Sequence, residues 1–206
     1  MTKLSNNAHL LILWILGTTF GPIVGLTFLL GYLAYDSYKW TTIVPVSLVI
    51  IGILLGIGQW IILRTHLKNM WAWIPLTAIG FLLGVFLGLY LGDRFDSGYW
   101  NPSMPIAVGT VLGITQWPVI AKQVTRSILW IPMSIISWTI GLGITLVVFD
   151  HFTTNYILVN YSLEFGAGLG LLCGILVGSI SGIFLISHIR MSRDKKIAGD
   201  KPANPT

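Results

Sequence analysis

Six stretches of this chain are apolar for long enough to cross a bilayer, and that limits what it can fold into more than any other feature. They run from Leu10 to Ala34, Thr42 to Leu63, Trp71 to Gly92, Met104 to Ala121, Ile128 to Phe149 and Phe165 to Ser187. Hydrocarbon about 30 Å thick requires about 20 apolar residues in helical form. Lipid cannot satisfy exposed backbone groups, and the alternation of a barrel strand is missing, so helices are the expected form. Charged residues make up 9% of the chain and the mean hydropathy is +0.81, against about 25% charged in an ordinary soluble domain. The expected fold is an all-α integral membrane protein with six transmembrane helices in residues 1–190 and a basic, disordered tail over 191–206. Lys3 ahead of the first apolar run suggests a signal peptide, but no small-residue cleavage pattern follows, so this helix is expected to be retained.

A repeat organises these helices. Gly52-Ile53-Leu54-Leu55-Gly56-Ile57-Gly58-Gln59-Trp60 recurs as Gly109-Thr110-Val111-Leu112-Gly113-Ile114-Thr115-Gln116-Trp117, about 57 residues later and without a gap. The same offset aligns Trp73-Ile74-Pro75 with Trp130-Ile131-Pro132, and Asp36 with Asp93 and Asp150. A decayed third copy pairs Gly109 and Gly113 with Gly166 and Gly170, and Cys173-Gly174 stands in place of Gln-Trp. The chain therefore reads as three tandem helical hairpins, roughly 9–64, 65–121 and 122–188.

Charge sets the orientation. Lys3, Arg64, Lys68, Lys122, Arg126, Arg190, Arg193, Lys195, Lys196 and Lys201 fall on one side, leaving only Lys39 and Arg94 of the 12 basic residues on the other. The positive-inside rule then places both termini in the cytoplasm. Trp60, Trp71, Trp73, Trp117 and Trp130 gather toward the inner end and read as interfacial anchors. The net charge of +5 lies in short loops and the tail rather than on a folded basic face, which argues against a nucleic-acid partner.

Helices in lipid associate through close backbone approach, and small residues at four-residue spacing supply it. Gly166, Gly170, Gly174 and Gly178 line one face of the sixth helix, Gly80, Gly84 and Gly88 one face of the third, and Gly52 with Gly56 and Gly109 with Gly113 mark the second and fourth. These faces pack helices within the chain, or the sixth-helix face receives a partner helix or a flat lipid or pigment ring. Pro22 lies inside the first helix, where a kink is expected.

Two polar sets stand out. Gln59 and Gln116 lie inside the inner membrane boundary, where a buried amide requires hydrogen bonds. They either bond across helices or form a polar collar at an inner mouth. Asp36, Asp93 and Asp150 follow the odd-numbered helices, where an anion opposes the helix dipole. They are either solvated loop residues or an outer acidic ring that attracts cations. His9, His66, His151 and His188 are scattered without ligand spacing, and no HExxH, GxSxG or phosphate-binding loop occurs, so no metal site, cofactor or catalytic set is expected. No ionisable residue falls near the middle of a span, which argues against a proton-coupled relay.

The pattern Gly-x-x-x-Gly-x-x-Gln-Trp, followed by a basic loop and Trp, is carried by Gly52, Gly56, Gln59, Trp60, Arg64 and Trp73, and again by Gly109, Gly113, Gln116, Trp117 and Trp130, with Ala121 where the arginine would stand. It resembles a repeat of multi-pass membrane proteins found particularly in cyanobacteria. That resemblance implies a plasma, inner or thylakoid membrane and no established activity. Mitochondrial carriers also have three hairpins, but their Pro-x-Asp/Glu-x-x-Lys/Arg motif is absent from all three odd helices. The function expected is that of a non-enzymatic structural or accessory subunit that packs against lipid, a hydrophobic cofactor or other membrane subunits. The alternative is a small-solute or cation transporter or channel along a pseudo-threefold axis.

Overall fold

The computed structural model describes residues 3–35, 40–94, 102–121, 123–124, 126–155 and 163–199. The described residues contain six α-helices: α1 (Lys3–Tyr35), α2 (Trp40–Leu63), α3 (Trp73–Arg94), α4 (Ser103–Ala121), α5 (Trp130–Asn155) and α6 (Leu163–Gly199). All six are long and apolar enough to cross a membrane, and the described residues include no strand. Polarity is distributed inside out. Thr18, Ser47, Gln59, Thr77, Gln116, Ser134, Ser137 and Ser181 are buried, while Leu16, Phe20, Ile79, Leu83, Ile114, Ile136 and Ile183 are exposed. An aqueous solvent would favour the reverse; hydrocarbon favours this arrangement because an outward-facing hydroxyl or amide there would lose its partners.

Helix boundaries follow local chemistry. Pro75 and Pro132 sit in the first turns of α3 and α5, where the missing N–H would have had no helical partner. Each of these helices is preceded by a short 3₁₀ turn, Met70–Ala72 and Ser127–Leu129. Each turn is entered through a non-glycine residue in the left-handed region, Asn69 at φ 53° and Arg126 at φ 58°. Matched backbone bonds lead into them: Leu67 N–H donates to the Leu63 carbonyl, and Val124 N–H to the Ile120 carbonyl. Gln123 ties the two linkers together, accepting from Lys68 N–H at 2.7 Å and donating to the Lys68 carbonyl at 2.8 Å.

Two boundary expectations are corrected. The tail was expected to be disordered from residue 191, yet α6 continues to Gly199. No helix breaker stands between Met191 and Gly199, and the stop signal is Gly199 followed by Pro202. At 1.5 Å per residue the helix is about 55 Å long, more than the roughly 40–45 Å of a whole bilayer. Asp93 and Asp150, read as following the ends of their helices, lie inside them: Asp93 in the last turn of α3, and Asp150 more than a turn before the end of α5. α1 runs unbroken through Pro22.

The helices form a closed ring. Each packs on its sequence neighbours, and α1 also packs extensively on α6. Glycines set the separation at every seam. A Cβ on Gly52 would stand 2.6 Å from Ala78 Cα, one on Gly84 2.7 Å from Val108 Cα, and one on Gly109 2.7 Å from Ile135 Cα. On α6, Gly166 lies against Leu26 and Thr27, Gly170 against Pro22 and Ile23, Gly174 against Thr19, and Gly178 against Ile15. That face is therefore occupied by α1, which excludes its availability for a partner helix or a pigment ring.

Gly174→Ala drives its new methyl into Thr19 and is expected to cost about 1–3 kcal/mol through overpacking. Gly168→Ala meets no atom within 4 Å and is expected to be neutral, or stabilising by up to about 1 kcal/mol through helix propensity. Thermal unfolding of both variants in one detergent checks the contrast, and equal losses would contradict it.

Candidate functional site

The linkers place a tryptophan at the start of α3 and of α5, and α1 carries a third at the same depth. Trp73, Trp130 and Trp14 are 0%, 3% and 1% exposed. Their rings meet at the ring's centre, Trp73 to Trp130 at 5.9 Å between centroids and Trp14 to Trp130 at 6.3 Å, the latter edge to face. Trp73 and Trp130 are therefore core residues, contrary to the expectation that they anchor in the headgroup zone. Trp71, at 70% exposure, faces outward as an anchor would. Trp60 carries the Arg64 guanidinium 4.6 Å from its ring centroid.

Each indole N–H buried here requires an acceptor, and the two glutamines provide one at two of the three corners. Trp73 Nε1–H donates to Gln59 Oε1 at 2.9 Å, and Trp130 Nε1–H to Gln116 Oε1 at 3.1 Å. The other end of each amide reaches a third helix. Gln116 Nε2 donates to Thr77 Oγ1 at 2.9 Å, and Gln59 Nε2 to Thr18 Oγ1 at 3.4 Å. Gln59 on α2 thus links α3 to α1, and Gln116 on α4 links α5 to α3. Each glutamine spends its carbonyl on an indole and an amide hydrogen on a hydroxyl.

The third corner differs. Trp14 Nε1–H donates to Ser181 Oγ at 3.0 Å, and Ser181 donates onward to the Val177 carbonyl. The neighbours of the α6 glycines assign the register independently. Gly56 stands on Ile74, Gly113 on Ile131 and Gly178 on Ile15. Ser181 therefore occupies on α6 the place of Gln59 and Gln116. The ungapped alignment placed Cys173 there and paired Gly166 and Gly170 with Gly109 and Gly113; the contacts assign Gly174 and Gly178 instead. Ser181 follows Trp130 by 51 residues, whereas Gln116 follows Trp73 by 43 and Gln59 follows Trp14 by 45, and an ungapped offset cannot absorb that difference. With one further gap, before Trp73, the pattern Trp14-x-x-x-Thr18, Trp73-x-x-x-Thr77 and Trp130-x-x-x-Ser134 could have been read from the sequence.

Gln59, Gln116, Ser134, Ser137 and Ser181 line a cavity together with Leu55, Leu112, Trp130, Trp138 and Val177. Its volume for a water-sized sphere is about 10 Å³, close to that needed for a single water. Apolar layers flank it. One is built of Trp14, Leu63, Leu67, Met70, Trp73, Ile120 and Trp130, the other of Phe81, Val85, Val108, Leu142 and Trp138.

Asp93 is exposed near the end of α3, Asp150 is half-buried in α5, and Asp36 lies outside the described residues. Among the described residues, no group of three His, Cys, Asp or Glu side chains is placed to hold a metal ion. His188 is buried and held by the Phe184 carbonyl at 3.0 Å. No family model matches the chain, and neither a curated protein nor a solved structure is significantly similar to it.

Gln116→Leu leaves the Trp130 indole N–H without its acceptor and is expected to destabilise by about 1–3 kcal/mol. Trp71→Phe on the outer surface is expected to change stability by no more than about 0.5 kcal/mol. A double-mutant cycle of Gln116→Leu with Trp130→Phe, read by thermal unfolding, checks the clamp; strict additivity would contradict it.

Proposed function

We propose that the chain is a non-enzymatic integral membrane protein built as three tandem hairpins about a pseudo-threefold axis, with both termini cytoplasmic. It serves as a structural or accessory subunit through its outer surface. The observation that carries this reading is the use of the interior. The polar layer is largely consumed by the two Trp–Gln clamps, and apolar side chains occupy the axis on either side of it. An exterior of exposed leucine, isoleucine and phenylalanine offers lipid chains or partner helices a surface of matching chemistry. Arg64, Arg126 and Arg190 at one end of the ring support the cytoplasmic placement of that end.

A second reading rests on a specific observation, the polar layer on the axis itself. In that reading the protein is a small-solute or cation transporter whose flanking apolar layers open in turn, with Asp36, Asp93 and Asp150 at the outer entrance.

Native mass spectrometry after gentle extraction from the source membrane, with an absorption spectrum of the same sample, tests the choice. The accessory reading expects a reproducible complex with other membrane subunits, lipid or a hydrophobic cofactor, and no solute flux above background in liposomes. Flux that falls when all three aspartates become asparagine would replace it with the transporter reading.

A further inference from the structure

The cavity in the polar layer holds an incomplete site, and this inference is independent of the functional reading. At two corners a glutamine amide bridges an indole to a hydroxyl on a third helix. By the same pattern, a glutamine on α6 would bridge Trp14 to Ser134, because Ser134 occupies on α5 the place of Thr77 on α3 and Thr18 on α1. Ser181 satisfies Trp14 but is too short to reach further, and its own proton goes to Val177. Ser134 is 3% exposed, and its side chain lines the cavity together with Ser181 and both glutamines. A polar pocket of this size with two or more polar groups is one that water fills.

We propose that a single internal water binds in this cavity and replaces the amide that α6 lacks, accepting from or donating to Ser134 Oγ. The second amide hydrogen of Gln59 or Gln116 completes its shell, since each Nε2 carries two hydrogens and uses one in the clamps. The ligand class is narrow. The volume admits a molecule the size of water, and the lining supplies neutral donors and acceptors but no charge, so an ion is disfavoured.

Two measurements test the site. Ser134→Ala removes a partner of the bound water and is expected to lower the melting temperature by about 2–4 °C; a dry cavity predicts no change or a rise. Radiolytic footprinting of the intact protein in ¹⁸O-labelled water reads the site without reference to stability. Label on the cavity-lining Trp130 or Trp138 that disappears in Ser181→Gln supports the proposal, since the new amide takes the water's place. Absence of label on both indoles in the unsubstituted protein would overturn it.

Discussion

Helices in a bilayer gain nothing by hiding apolar surface from one another, because the lipid they leave is as apolar as the neighbour they meet. Everything in this fold depends on that constraint. Close backbone contact and satisfied polar groups remain as the forces that hold the ring, and the sequence supplies each at regular positions. Glycines at every seam bring backbones near enough for dispersion contacts to accumulate. The α1–α6 seam, which joins the two ends of the chain, carries the longest such run, from Gly166 to Gly182. A seam between elements so far apart in sequence has no short loop to hold it, and the glycine run compensates by maximising contact.

The polar layer adds direction to this packing. Dispersion alone tolerates sliding by a turn, whereas an indole N–H in a low-dielectric interior bonds to one acceptor at one height. Trp73 to Gln59 and Trp130 to Gln116 therefore fix the register of α3 on α2 and of α5 on α4, and the far ends of the amides fix a third helix in each case. At the remaining corner Ser181 retains the bond to Trp14 and gives up the reach to Ser134. The ring thus has glycine contacts at every seam, most extensive between α1 and α6, and is asymmetric in polar bonding.

Much of this was legible before any coordinates. Six spans follow from apolar length alone, and the use of glycine faces for packing follows from their spacing. The glutamines were recognised as requiring partners, but the partners were not, because a tryptophan near a membrane boundary is ambiguous. It anchors at the interface when it faces outward, as Trp71 does, and becomes core when the helix start turns it inward, as the left-handed residues Asn69 and Arg126 do for the helices begun by Trp73 and Trp130. Ser181 is hidden because helix faces repeat by angle rather than by residue count, so the longer span from Trp130 to Ser181 shifts the alignment without altering the packing. The continuation of α6 to Gly199 is hidden for a simpler reason: a short, charged, proline-bearing tail reads as disordered, although nothing between Met191 and Gly199 interrupts a helix.

The central claim is the closure of the ring by α1 against α6. Leu10 on α1, Ile62 on α2 and Ile189 on α6 line one small cavity, which gives a direct measurement. In a Cys173→Ser background, cysteines at Leu10 and Ile189 should be joined by a short thiol cross-linker in native membranes as efficiently as cysteines at Leu10 and Ile62. Efficient linking of the α1–α2 pair with none between α1 and α6 would mean an open row of hairpins and would contradict the account.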